Sequence, residues 1–168
     1  MHTIRGSCQG LSKSFSADVC CFSAVDGGGY GQNIAAGVAP ANISAIITDL
    51  FYNGEVENYN GLYGEANPSM ANFEVWGHFS QIVWAATTHV ACATQDCSKQ
   101  GLKNVGSDVR PYFTVCNYAS PGKLHMPALS QSTSTDLRHV GNVGGEYGKN
   151  VGEPLGEPTA QWNTGEFV

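Results

Sequence analysis

Six cysteines bear most directly on chemistry in this chain: Cys8, Cys20, Cys21, Cys92, Cys97 and Cys116. An even number in 168 residues fits a disulfide-bearing domain of an oxidising compartment, though sequence does not choose among the many pairings. A zinc site is the weaker reading, because no C-x2-C pair occurs and Cys92 and Cys97 stand alone at their spacing. Gly27-Gly28-Gly29-Tyr30-Gly31 is a turn or loop. It is not a phosphate loop, since neither an apolar strand before it nor a Gly-Lys-Ser/Thr after it is present. No strand-turn-helix serine motif supplies a nucleophile. A histidine and a glutamate held together in a cleft could still exchange protons, which puts weight on where His78 falls; His89, His125 and His139 read as ordinary surface residues. The sequon Asn42-Ile43-Ser44 is compatible with a secretory route.

The elements that must position these residues sit in a chain poor in charge. Only 13% of residues are charged and the net charge is -6, with 8 Lys+Arg, so a polyanion such as nucleic acid is a poor partner. The length fits one domain, and 42% hydrophobic with 10% aromatic residues fits a packed body rather than a disordered one. Ile43, Ile46, Ile47, Leu50 and Phe51 recur at helical spacing and predict a helix over 41–59. Pro40 precedes it and Asn42 or Ser44 is its expected N-cap. A second, short helix is expected over 78–87. Residues 90–93 and 112–118 read as strands, rich in β-branched and aromatic side chains. Residues 60–75 form an unusually aromatic loop, and 101–108 a polar connection. Residues 1–26 have no clear period, and residues 127–135 are low in complexity. No internal repeat is present, and no segment reaches the length of a membrane span. The first residues lack the apolar stretch of a signal peptide, at odds with the cysteine content.

Four ordered segments resemble the CAP superfamily of cysteine-rich secretory, antigen 5 and pathogenesis-related class 1 proteins. Gly77-His78-Phe79-Ser80-Gln81-Ile82-Val83-Trp84, continued by Thr87-Thr88-His89-Val90-Ala91-Cys92, is similar to its first signature. Phe113-Thr114-Val115-Cys116-Asn117-Tyr118-Ala119-Ser120-Pro121-Gly122 is similar to its second. Tyr30-Gly31-Gln32-Asn33-Ile34-Ala35 resembles the "GENIA" segment, and Phe51 to Tyr59 the "WYxE…Y" helix. Gly145-Glu146-Tyr147-Gly148-Lys149-Asn150-Val151, followed by Pro154-Leu155, resembles the fungal branch.

The resemblance implies an α+β fold: a three-layer α-β-α sandwich around a small, mainly antiparallel sheet. It implies a CAP domain over 27–160, after an atypical segment 1–26 and before a tail at 161–168. Family members line a shallow cavity with two His and two Glu. Here His78 and Glu55 keep their places, Gln32 replaces one Glu, and Cys21 lies near the expected first His. Such a degenerate set implies at most a weakly bound divalent metal such as zinc, on His78 and Glu55, with no cofactor required. Cys92, Cys97 and Cys116 are then disulfide candidates. The implied function is that of a secreted, extracellular, non-enzymatic monomer that binds sterol or another small lipid and acts in host interaction or defence. Tyr59, Tyr63, Phe73 and Trp76 would line the lipid-binding loop. The alternative is a metal-dependent, hydrolase-like activity at the degenerate cavity.

Two departures from the family are expected. Its first helix should precede the glycine loop by more chain than residues 1–26 provide, so the N-terminus reads as incomplete. Residues 123–141 are an insertion between the second signature and Asn142. The codons of Gly122-Lys123 and Val140-Gly141 permit splice boundaries whose joining keeps the frame, so the segment reads either as a retained intron or as a variable surface loop.

Overall fold

In the computed structural model, which describes residues 31–99, 101–119, 141–142 and 144–156, three antiparallel strands form one sheet in the order β1-β3-β2. Strand β1 is Gly31–Ala36, β2 is His89–Asp96 and β3 is Tyr112–Ala119. The expectations for residues 1–26, for the insertion before Gly141, for Cys8, Cys20 and Cys21, and for the tail lie outside the described residues.

Strands β2 and β3 lie where Val, Thr, Tyr and Phe concentrate, each slightly longer than the sequence reading. A hydroxyl pair, Thr94–Thr114 at 2.7 Å, joins them in register. Strand β1 was not foreseen from residue types. Its sequence, GQNIAA, is weak in strand formers, and pairing with β3 is what holds it extended. Gly31, Asn33 and Ala35 are buried and alternate with Gln32, Ile34 and Ala36, so the two sets face opposite sides of the sheet.

The helix expected over 41–59 is not one uniform element. A 3-10 turn Pro40–Asn42 leads into the α-helical turn α1, Ile43–Ala45, and then a wide π-helical stretch, Ile46–Asn53. Pro40 occupies the first helical position rather than preceding it, Asn42 makes no side-chain cap and Ser44 lies inside the helix. The run closes where the Gly54 N–H donates to the Asp49 carbonyl, five residues back, at 2.9 Å. A Cβ on Gly54 would approach the Leu50 carbonyl oxygen to 2.7 Å, so glycine allows the chain to turn off here. A separate 3-10 turn, Val56–Tyr59, follows. Helix α2, Gly77–Ile82, stops short of the expected Thr87, and α3 is Tyr147–Asn150. No helix among the described residues is long and apolar enough to cross a membrane.

Two apolar clusters meet at α2. Ala35, Cys116 and Tyr118 from the sheet pack with Ile46 and Phe51 of the first helical run, and Ile82 of α2 joins them. Phe79 of α2 belongs instead to an aromatic cluster with Val56, Tyr59, Trp76, Trp84, Tyr147 and Val151. This arrangement of helices on a small antiparallel sheet is the expected α+β class.

Cys92 and Cys116 face each other in the β2–β3 register and form a disulfide across a sequence separation of 24. Cys97, fully buried, is disulfide-bonded as well. Closing a loop of this length restrains the unfolded chain. Replacing Cys92 and Cys116 together by serine is therefore expected to lower unfolding free energy by about 3 kcal/mol. Urea denaturation of the two chains measures the difference.

Candidate functional site

The site begins at Gly54, because the turn it permits carries Glu55 inward. Glu55 is 1% exposed, and its carboxylate lies at the start of α2. One oxygen, Oε2, accepts from the backbone N–H of His78 at 2.8 Å and of Phe79 at 3.0 Å. These N–H groups belong to the first turn of α2, where no helical carbonyl is available to them. The negative charge also suits the helix N-terminus. The other oxygen, Oε1, lies 2.6 Å from His78 Nδ1. Glu55 therefore acts as the N-cap of α2 from a distance of 23 residues in sequence and, in the same geometry, as the tether of the imidazole.

His78 is held on its other side by Phe51, whose ring stacks on it with centroids 4.7 Å apart and an interplanar angle of 18°. With Nδ1 committed to Glu55, Nε2 is the nitrogen remaining to a side chain that is 32% exposed. Gly77 is required beside it: a Cβ there would enter the Phe73 ring at 2.7 Å.

The sheet side of the site is built by Asn33, a residue the sequence reading passed over in favour of its neighbour. Asn33 is 1% exposed. Its Nδ2 donates to the His78 carbonyl and to the Tyr118 hydroxyl, each at 3.1 Å. Burial pushes Tyr118 up to about 12, with the Asn33 hydrogen bond acting in the opposite sense. Gln32 sits on the other face of β1, exposed, and its Nε2 donates to Asn117 Oδ1 at 2.8 Å. The strand period was the available signal: if Ala35 is a core residue, Asn33 shares its face and Gln32 does not.

The structure thus joins Glu55 to His78, while Gln32 lies on the opposite sheet face. Both Glu55 oxygens are occupied by donors of the fold, which leaves a cation one nitrogen from this pair. No group of three or more His, Cys, Asp or Glu side chains able to hold a metal occurs among the described residues. This donor set does not fit a chelated divalent ion. As a proton-transfer device the pair is better formed, because Glu55 orients the ring. No Ser, Thr or Cys is hydrogen-bonded to His78 among the described residues.

The aromatic segment is not one loop, since Met70–Val75 forms a 3-10 helix, and it is fastened rather than free-standing. Tyr59 and Trp76 are 0% and 1% exposed and meet edge to face at 5.3 Å. Tyr63 and Phe73 lie half-buried over them, edge-on to Tyr59 at 5.1 Å and to Trp76 at 5.0 Å. Gly61 and Gly64 take positive φ angles of 82° and 81° on either side of Leu62 and Tyr63. The later chain clamps this loop. The Gly145 N–H donates to the Ala66 carbonyl at 3.0 Å, and Gly148 packs so close to Gly64 that a Cβ would lie 2.6 Å from its carbonyl oxygen.

A second anchor joins the later chain to α2. Asn142 Nδ2 donates to the Gly77 carbonyl at 2.9 Å, and Ser80 Oγ bonds to Asn142 Oδ1 at 2.5 Å. Gln81, 1% exposed, lies between Gly31 and Gly141; a Cβ on either glycine would collide with its side chain.

Comparison with known proteins places these motifs in context. The sequence model of the cysteine-rich secretory protein (CAP) family matches residues 15–118. The "Probable pathogenesis-related protein" of the fungus Arthroderma benhamiae is 43% identical over 136 residues, covering 81% of this chain and 37% of that relative. The maize "Pathogenesis-related protein PRMS" is 35% identical over 58% of this chain and 51% of its own length. The Candida albicans "Secreted protein RBT4" is 31% identical over 58% of this chain and 23% of its own length. The chain spans about a quarter to a half of the length of these relatives.

Proposed function

Because the chain belongs to the cysteine-rich secretory protein (CAP) family, we propose that it is a secreted, extracellular, non-catalytic monomer that binds a sterol or other small lipid and acts in host interaction or defence. The observation that carries this reading is the half-buried pair Tyr63 and Phe73, lying as an aromatic cover over the buried rings of Tyr59 and Trp76. Rings in this position can exchange contact with one another for contact with a flat apolar ligand. The positive φ angles at Gly61 and Gly64 supply backbone positions that absorb a loop rearrangement. The names of the relatives, pathogenesis-related and secreted proteins, support the same role.

A cholesterol-sulfate or ergosterol binding assay tests this on the full chain and on the Tyr63→Ala/Phe73→Ala double variant. Binding by the parent and at least a tenfold weaker affinity in the variant is expected, from two aromatic contacts of ~1 kcal/mol or more each. Unchanged binding in a variant that keeps its near-ultraviolet circular dichroism would exclude the loop. Weak zinc binding remains in this proposal only as a contact to His78; catalysis through a metal is disfavoured, because Glu55 spends both oxygens inside the fold.

A further inference from the structure

Three side-chain polar atoms among the described residues are buried without a hydrogen-bond partner: the hydroxyls of Tyr59, Tyr63 and Tyr147. They are not scattered. All three tyrosines belong to the aromatic cluster beside α2 or pack against it. Tyr59 meets both Tyr63, at 5.1 Å, and Trp76, at 5.3 Å; Trp76 in turn meets Tyr147 at 5.6 Å. Tyr59 and Tyr147 are 0% and 1% exposed, so bulk water does not reach their hydroxyls. Buried phenols are nearly always paired, because leaving one unpaired forfeits its hydration for nothing in return. Tyr147 and Tyr63 both lie near enough to act electrostatically on the Tyr59 phenol, so three unpaired phenols in one apolar cluster point to a shared partner.

We propose that Tyr59, Tyr63 and Tyr147 form an internal site for a neutral hydroxyl group beside the segment 60–75, held by water in the free protein. The chemistry selects the ligand class. Phenols both donate and accept, and a hydroxyl can do the same toward more than one of them. An anion is disfavoured by the acidic surroundings: Glu65 acts on Tyr59, and Glu57 and Glu153 act on Tyr63, each resisting added negative charge. Burial, supported by the neighbouring tyrosines, pushes Tyr59 up to about 12, and burial alone does the same to Tyr147, so both stay protonated and able to donate. Nothing in the site requires a metal or a charged group. With water as occupant the inference stands apart from the lipid reading; with a sterol hydroxyl as occupant it rests on that reading.

Tyrosine-to-phenylalanine changes test it, since they remove one oxygen and keep the ring packing. Tyr59→Phe and Tyr147→Phe, in the full chain, are each expected to lower the folded-to-unfolded ratio about fivefold to tenfold in urea. Because they share a partner, the double variant should lose less than the product of the two single losses. Singles that are neutral or more stable, with additive effects, would overturn the proposal, since an unpaired hydroxyl is relieved by its removal. Ergosterol binding by the same variants distinguishes the source of the hydroxyl. Parent-level affinity identifies water alone, whereas an approximately tenfold loss identifies the sterol's own hydroxyl in the site. Absence of ergosterol binding by the parent chain removes the lipid reading and leaves the stability result standing.

Discussion

Replacing Glu55 with alanine is expected to destabilise the protein by about 3 kcal/mol or more. The change removes one acceptor group from three donors at once: the backbone N–H of His78 and of Phe79, and His78 Nδ1. The Phe79 bond is buried, and Glu55 itself is 1% exposed, so water replaces the carboxylate poorly. The helix it caps is short, Gly77–Ile82, and contributes Phe79 to one apolar cluster and Ile82 to the other. Fraying at its first turn therefore reaches both halves of the core. Glu55→Gln should cost less, since the amide oxygen can still accept from one donor, but its NH2 group would face the others. Glu57→Gln is the control. Glu57 is exposed, its side chain bonds only Asn60 among the described residues, at 2.9 Å, and its loss should change stability by no more than about 0.5 kcal/mol. Urea unfolding of the three variants orders them; equal stability of Glu55→Ala and the parent would show that the cap is dispensable.

The Glu55–His78 pair was legible before the fold, but only through motif resemblance, because the 23 residues between them carry no periodic signal that joins them. The role of Glu55 was not legible. A carboxylate near a histidine suggests a ligand pair, whereas the backbone N–H groups that occupy it appear only once α2 is placed. Strands β2 and β3 were readable because their residues prefer extended, half-buried positions. The bond between Cys92 and Cys116 was not, since it depends on strand register rather than on spacing. β1 escaped for the reverse reason: GQNIAA has little preference of its own, and tertiary pairing overrides that. The long amphipathic pattern over 41–59 correctly marked an apolar face, with Ile46 and Phe51 buried. Periodicity alone could not reveal that Gly54 interrupts it, nor that Tyr59 then turns into the aromatic cluster with Trp76.

Gly141→Ala is expected to destabilise the protein by about 2–3 kcal/mol, whereas deleting residues 123–141 altogether should preserve the fold. The contrast follows from what the position before Asn142 must be. Gly141 has a φ of 145°, a conformation that residues with a Cβ rarely adopt. A Cβ there would also lie 1.9 Å from Gln81 Oε1. Gln81 cannot swing aside easily, because it is 1% exposed and Gly31 abuts it just as closely. Deletion of residues 123–141 places Gly122 directly before Asn142, so the glycine requirement is met by the residue that takes over. The join is expected to close. Gly31 pairs with Tyr118 near the end of β3 and abuts Gln81, as Gly141 does, so the end of β3 and Gly141 both neighbour the start of β1. Residues 120–122 can then bridge from Ala119 to Asn142, three residues spanning up to about 10 Å. Shortening the connection from 22 residues to three should itself favour folding, by roughly 1–2 kcal/mol. The decisive variant combines the deletion with Gly122→Ala. It should lose the same 2–3 kcal/mol as Gly141→Ala in the full chain, because both place a Cβ against Gln81. Thermal unfolding of the four chains reads this directly. A deletion chain that fails to fold, or a Gly122→Ala change with no effect within it, would count against reading residues 123–141 as an insertion.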